Sequence, residues 1–196
     1  ADIVIIYRAT KSEKLLKLIS IMKKLGRKVY YDIDDLVFDT KYTDQLEYTQ
    51  SLSKKEKASY DAAVQQYGDM LGRCDAVITS TEHLKTELEK KKSEVIIHRN
   101  VLSKKLIHLS NKAISKKITD ETIKIAYFSG SITHNENFEM IKPALIKILE
   151  KFKNVELHLA GHLDIPADIE KFGNQIVVHP YVDWEELPDL IGQMDI

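Results

Sequence analysis

Ile123-Lys124-Ile125-Ala126-Tyr127-Phe128-Ser129-Gly130-Ser131-Ile132-Thr133-His134-Asn135 reads as a short apolar strand that turns through glycine into the start of a helix. The helix is marked by Phe138, Ile141, Leu145, Ile148, Leu149 and Phe152, which recur at helical spacing on one face. A strand followed at once by a helix is half of a βαβ unit, and the joint has a chemical consequence. The first N–H groups of a helix lack intrahelical partners, and the helix dipole adds partial positive charge at the same point. Glycine lets an anion approach that main chain closely, and the hydroxyls of Ser131 and Thr133 add donors. The turn therefore points to a phosphate-bearing ligand, above all a nucleotide, with an ordinary strand–helix turn as the plainer alternative. Thr133 with Glu136 also fits a capping box, so that hydroxyl has an alternative use in the helix itself. Pro143 falls inside the apolar stripe and is expected to kink or loosen the helix.

The same alternation runs outward in both directions. Short apolar runs at 3–7, 29–31, 76–78, 95–97, 155–159 and 176–178 suit strands buried on both faces of a parallel sheet. Between them lie helical periods. Leu15, Leu18, Ile19, Met22 and Leu25 form one, which Gly26 ends. Tyr60, Val64, Tyr67 and Leu71 form another, behind the capping box Ser53-x-x-Glu56. Strands alternating with crossover helices predict an α/β fold of doubly wound, Rossmann-like parallel sheets. Residues 103–122 are rich in Lys, Ser and Asn with weak periodicity, and read as a linker between two such units. The expected division is 1–112 for the first unit, 113–122 for the linker and 123–196 for the second. The chain opens inside strand-like sequence and closes on Met194-Asp195-Ile196, the beginning of another strand. Both units are therefore expected to be partial.

Composition narrows the function further. With 29 basic and 30 acidic side chains, the net charge of −1 gives no electrostatic reason to bind nucleic acid. The single cysteine, Cys74, rules out an intramolecular disulfide framework and fits a reducing, cytoplasmic setting; its apolar neighbours suit a buried thiol. No apolar run reaches the roughly 20 residues of a membrane span, which leaves peripheral contact as the only membrane association expected. A Walker-type glycine–lysine loop and a Gly-x-Gly-x-x-Gly are both absent from the sequence.

In a parallel sheet, ligands bind beyond the C-terminal ends of the strands. In the first unit those positions hold Arg8, then Asp32, Asp34 and Asp35, then Thr79 to Thr81, then His98, Arg99 and Asn100. In the second they hold Gly130 to Asn135, Gly161 with His162, and Pro180 with Tyr181 and Val182. Two sheets joined by a linker are expected to turn these ends toward one cleft. Three carboxylates within four residues repel one another, so Asp32, Asp34 and Asp35 call for a magnesium ion, a basic partner or an acid–base role; capping by Asp35 with the others in water is the plainer alternative. His134 stands beside the anion turn, where an imidazole can meet a diphosphate or a hydroxyl. His98, His158 and His179 read as structural.

These stretches resemble glycosyltransferases of the GT-B fold, in particular the large retaining family 4. The likeness is carried by IKIAYFSGSITHN (123–135), VELHLAG (155–161) and VVHPYVDWEELPDLIGQMDI (177–196), with AVITSTEHLKTEL (76–88) and VIIHRNV (95–101) upstream. It implies that 1–112 is part of the acceptor-side domain and 123–196 the N-terminal part of the nucleotide-sugar donor domain. Carried over by position, it implies that Gly130 and Ser131 approach the donor diphosphate, with His134 and Asn135 close by. It implies that Gly161 and His162 border the nucleotide and that the main chain of Tyr181 and Val182 contacts the base. On the acceptor side it implies Arg8, Asp32, Arg99 and Asn100, with Asp34, Asp35 and His134 as catalytic residues. The reaction implied is transfer of a sugar from a nucleotide-sugar donor to a glycan, lipid-linked or protein acceptor, as in polysaccharide or cell-envelope synthesis. It implies no metal or other cofactor beyond the donor. The chain alone is expected to be inactive, since the glutamate-rich donor segment of the family has no counterpart here. Two alternatives stay open. One is a non-catalytic nucleotide- or sugar-binding module. The other is a phosphatase, because Tyr31-Asp32-Ile33-Asp34 resembles the Asp-x-Asp motif of haloacid-dehalogenase-like enzymes, with Asp32 as nucleophile and Asp34 as acid.

Overall fold

The computed structural model describes residues 2–116, 121–130 and 135–196. All seven apolar runs are strands: β1 (Ile3–Tyr7), β2 (Lys28–Asp32), β3 (Ala76–Thr79), β4 (Val95–Ile97), β5 (Ile123–Ser129), β6 (Val155–Gly161) and β7 (Ile176–His179). They form two parallel sheets, ordered β1-β2-β3-β4 and β5-β6-β7. Two compact units follow, Ala1–Val101 and Leu102–Ile196.

In the first unit each connection moves one strand further in the same direction. Right-handed crossovers then lay every helix on one face. Helices α1 (Glu13–Lys24), α2 (Thr40–Thr43), α3 (Glu47–Ser51), α4 (Lys54–Arg73) and α5 (Glu82–Glu89) are the connectors. Ile19, Met22, Met70, Leu71, Leu84 and Leu88 from α1, α4 and α5 pack on Ile6, Val29, Tyr31, Val77 and Val95. The alternate residues Ile3, Ile5, Tyr7 and Ile96 stay exposed, so this unit is one half of a doubly wound sheet. Gly26, at φ +66, ends α1: its N–H bonds the Lys23 carbonyl while the Arg27 N–H reaches Met22. Both bonds of the Ser53–Glu56 capping box are present at α4. Cys74 is buried, and burial pushes its thiol up to about 11, as befits an inert core sulfur.

The second unit reverses its winding. From β5, helix α7 (Asn135–Lys151) leads to β6, and α8 (Ala167–Glu170) with a short 3-10 turn leads to β7. Phe138, Leu145, Leu149 and Ile169 pack there on Val155, Leu157 and Leu159. The chain then returns through α9 (Leu187–Ile191), and Ile196 lies along the free edge of β5. There its N–H bonds the Lys124 carbonyl and its own carbonyl accepts from the Ala126 N–H, the pattern of a parallel neighbour. Residues 194–196, expected to start a strand, are otherwise irregular and align with β5 through these bonds. α7 runs continuously through Pro143, whose ring is on the exposed side while Phe138, Leu145 and Leu149 hold the helix on either side of it.

One expectation needs correction. The described part of the presumed linker contains an eleven-residue helix, α6 (Lys104–Ile114), capped by the Ser103 hydroxyl. α6 packs against α9, and Lys116 pairs with Asp189 at 3.0 Å. The chain's contacts therefore divide at Val101 rather than at residue 112, and α6 belongs with the second unit. Among the described residues no helix is long and apolar enough to cross a membrane.

Candidate functional site

A reversal of winding leaves a crevice at the C-terminal ends of the strands where it occurs. In the second unit that crevice is a cavity of about 250 Å³. Its lining comes from the ends of β5 (Phe128, Ser129, Gly130), β6 (Ala160, Gly161) and the segment after β7 (Pro180, Tyr181, Val182, Trp184), closed by Leu187 of α9. The walls are mostly apolar and aromatic. Ser129 and Gly130 bring strand-end main chain to this lining, and Tyr181, Trp184 and Leu187 bring flat and apolar surface.

Gly161 sets the shape of the floor. Its φ is +89, and a β-carbon placed on it would lie 2.0 Å from the Ser129 carbonyl oxygen. Beyond it, the His162 N–H donates to that same carbonyl at 3.3 Å, and the His162 ring packs on Tyr181 with centroids 5.5 Å apart. Trp184 carries Lys105 of α6 over its ring at 5.0 Å, and Lys105 also pairs with Glu185.

Of the residues expected around the donor, Gly130, Gly161, Tyr181 and Val182 line this one cavity, and His162 supports its wall. Asn135 does something else: its amide donates to Asp164 at 2.7 Å and its carbonyl accepts the Asp164 N–H, tying the first turn of α7 to the segment after β6. Ser131, Thr133 and His134 lie outside the described residues. Trp184 and Leu187 also line the cavity and lie beyond the strand-end residues that the sequence marks. Trp184, the chain's one tryptophan, just beyond a strand end, was the available signal.

The first unit gathers its own polar group at the C-terminal edge of its sheet. Arg8 follows β1 with φ +38, a left-handed conformation that is costly for a side chain with a β-carbon. Its N–H bonds the Asp32 carbonyl at 2.9 Å, and its guanidinium lies 2.6 Å from Asp35 and 3.4 Å from Asp34. Partial burial opposes the Arg8 charge, but Asp35 and Asp34 outweigh it and its pKa is raised. Arg8 is thus the basic partner of Asp34 and Asp35. Among the described residues, no three His, Cys, Asp or Glu side chains converge as metal ligands. Arg99 pairs instead with Glu82 at 3.1 Å, and Asn100 follows it in the loop after β4. His158 and His179 bond each other at 2.8 Å, with Glu156 on the far nitrogen of His158, in keeping with structural histidines.

Asp32 is left out of the Arg8 pairs. Partial burial and then the Asp34 charge raise its pKa, against a smaller pull from His98. A carboxyl with a raised folded-state pKa holds its proton more tightly folded than unfolded. Its ionisation therefore costs stability, an effect absent in acid and present once pH exceeds the folded pKa. Asp32→Asn is expected to raise the melting temperature slightly at neutral pH, the gain vanishing in acid, where the native carboxyl is itself protonated. Thermal melts across pH check both the sign and the window.

No family model and no curated protein sequence matches the chain. Solved structures do. Anabaena HepE, in complex with UDP and glucose, aligns with 97% of this chain at a TM-score of 0.54 and 12% identity. TarM of S. aureus aligns with 95% of it at a TM-score of 0.53 and 13% identity. A UDP-GlcNAc 2-epimerase from Methanocaldococcus jannaschii aligns at a TM-score of 0.42, too loosely to argue from. The chain spans 50% of HepE and 34% of TarM. At these identities the likeness defines the fold alone: two Rossmann-like α/β units, as in the GT-B architecture, present in part.

Proposed function

We propose that this chain is part of a retaining, family 4-like glycosyltransferase that moves a sugar from a nucleotide-sugar donor to an acceptor hydroxyl. The observation that carries the reading is the cavity of the second unit. It is lined both by the strand-end glycines Gly130 and Gly161 and by the rings of Tyr181 and Trp184, a combination that suits a nucleoside diphosphate. HepE, a protein of the same fold, is described in complex with UDP and glucose.

The barrier to such a transfer is charge developing on the departing diphosphate. N–H groups at the start of α7 and its dipole would stabilise that charge without a metal, assisted by Ser131 and His134. On the acceptor side, Asp34 and Asp35 would orient the attacking hydroxyl, with Asp32, Arg99 and Asn100 around it. Arg8 already occupies both carboxylates as an ion-pair partner, so the acceptor proton is better passed to the departing diphosphate oxygen. The acceptor class, a glycan, lipid-linked or protein hydroxyl, and a cytoplasmic role in envelope or polysaccharide synthesis belong to the same proposal.

Saturation-transfer NMR of this chain with UDP, GDP and dTDP is the direct test. At least one should show transfer to base and ribose protons, weakly, because the chain covers only part of the fold. Silence from all three at millimolar concentration would remove the nucleotide reading.

A further inference from the structure

We infer that Trp184 forms the stacking wall for the donor's nucleobase; the inference rests on the nucleotide reading and names the residue that holds the base. A nucleoside diphosphate is chemically lopsided, with a polyanion at one end and a flat, poorly solvated ring at the other. The cavity offers both kinds of surface: main chain at Ser129 and Gly130, and the rings of Tyr181 and Trp184 beside Leu187, with apolar surface dominating. A base in this cavity finds its flat apolar partners at Tyr181 and Trp184.

Trp184 differs from the core aromatics of this unit. Phe138 is 1% exposed and spends its ring on packing, whereas Trp184 lines the cavity and remains 49% exposed. Leaving half an indole in water is unfavourable unless something covers it. The ring is also held. Lys105 of α6 sits over it at 5.0 Å and pairs with Glu185, the next residue, so a helix from outside the β5–β7 core braces the cavity wall. Tyr181 is backed by His162 in a similar way. A pre-positioned indole beside a second aromatic ring suits a planar base, because stacking tolerates any base and gains from rigid partners.

Trp184 is the sole tryptophan, so intrinsic emission reports on this wall alone. UDP, GDP and dTDP are titrated into the chain with excitation at the red edge of the absorption band, and inorganic diphosphate serves as the comparison. Saturable quenching or shift by the nucleotides but not by diphosphate is expected. Trp184→Leu should weaken nucleotide binding about tenfold, whereas Trp184→Phe should stay within about threefold, both read by saturation-transfer NMR. Nucleotide binding seen by NMR with unmoved emission, or with Trp184→Leu binding as tightly as wild type, overturns this inference and leaves the function standing. No binding of any nucleotide overturns both.

Discussion

Gly161→Ala is expected to unfold the second unit, or to leave it folded only in the cold, and to abolish nucleotide binding with it. Two independent penalties combine. At φ +89 the backbone occupies a region that L residues rarely adopt. The added methyl would also meet the Ser129 carbonyl oxygen at 2.0 Å and its carbon at 3.1 Å. Neither atom can step aside, because Ser129 is buried, pairs with Gly161 in the parallel register and accepts the His162 N–H. Relief requires parting the ends of β5 and β6, where the cavity floor lies. The combined cost is about 3–5 kcal/mol, a large share of a small domain's stability. Gly173→Ala separates the two penalties: its φ is +53, but nothing lies within 4 Å of the added carbon. That variant should lose only about 1 kcal/mol. Circular dichroism melts of the pair check the comparison, and an unshifted melt for Gly161→Ala would contradict the described approach of β5 to β6.

How much of this was legible in the sequence depended on the range of the interactions involved. Buried parallel strands are continuous apolar runs, so all seven could be read residue by residue, and caps such as Ser53 with Glu56 are local by nature. Strand ends follow from the strands, so Gly130, Gly161, Tyr181 and Val182, which line one cavity, are legible in the sequence. What failed to show was tertiary pairing. α6 is masked in the sequence by its Lys-, Ser- and Asn-rich composition, and its docking shows only in the fold, where Lys105 and, just beyond the helix, Lys116 pair with Glu185 beside α9 and Asp189 within it. Asn135 carries the right chemistry for an anion site and spends it on Asp164, a partner that no local pattern reveals. The repulsion within Asp32, Asp34 and Asp35 is legible, and the pairing of Asp34 and Asp35 with Arg8 is not, since that needs β1 laid beside β2. Trp184 needed only the strand-end rule applied to the end of its loop.

Phe138→Ala should have the second large effect, and its value lies in a paired variant. Phe138 is buried in the first turns of α7, packed on Tyr127 of β5 with ring centroids 5.1 Å apart. Truncation removes that contact and leaves a cavity, at about 3–5 kcal/mol. Leu149 is equally buried near the other end of α7, and Leu149→Ala should cost about 2–5 kcal/mol. The two therefore penalise the same core by similar amounts at opposite ends of one helix. If the helix start seats the diphosphate, its aim depends on the turn that Phe138 pins to β5, not on the turn that Leu149 holds. Measured well below both melting temperatures, Phe138→Ala should weaken UDP binding at least about tenfold, and Leu149→Ala should leave it within about twofold. Equal losses in the two would mean that binding tracks unit stability alone, and the anion seat at the start of α7 would have to be given up.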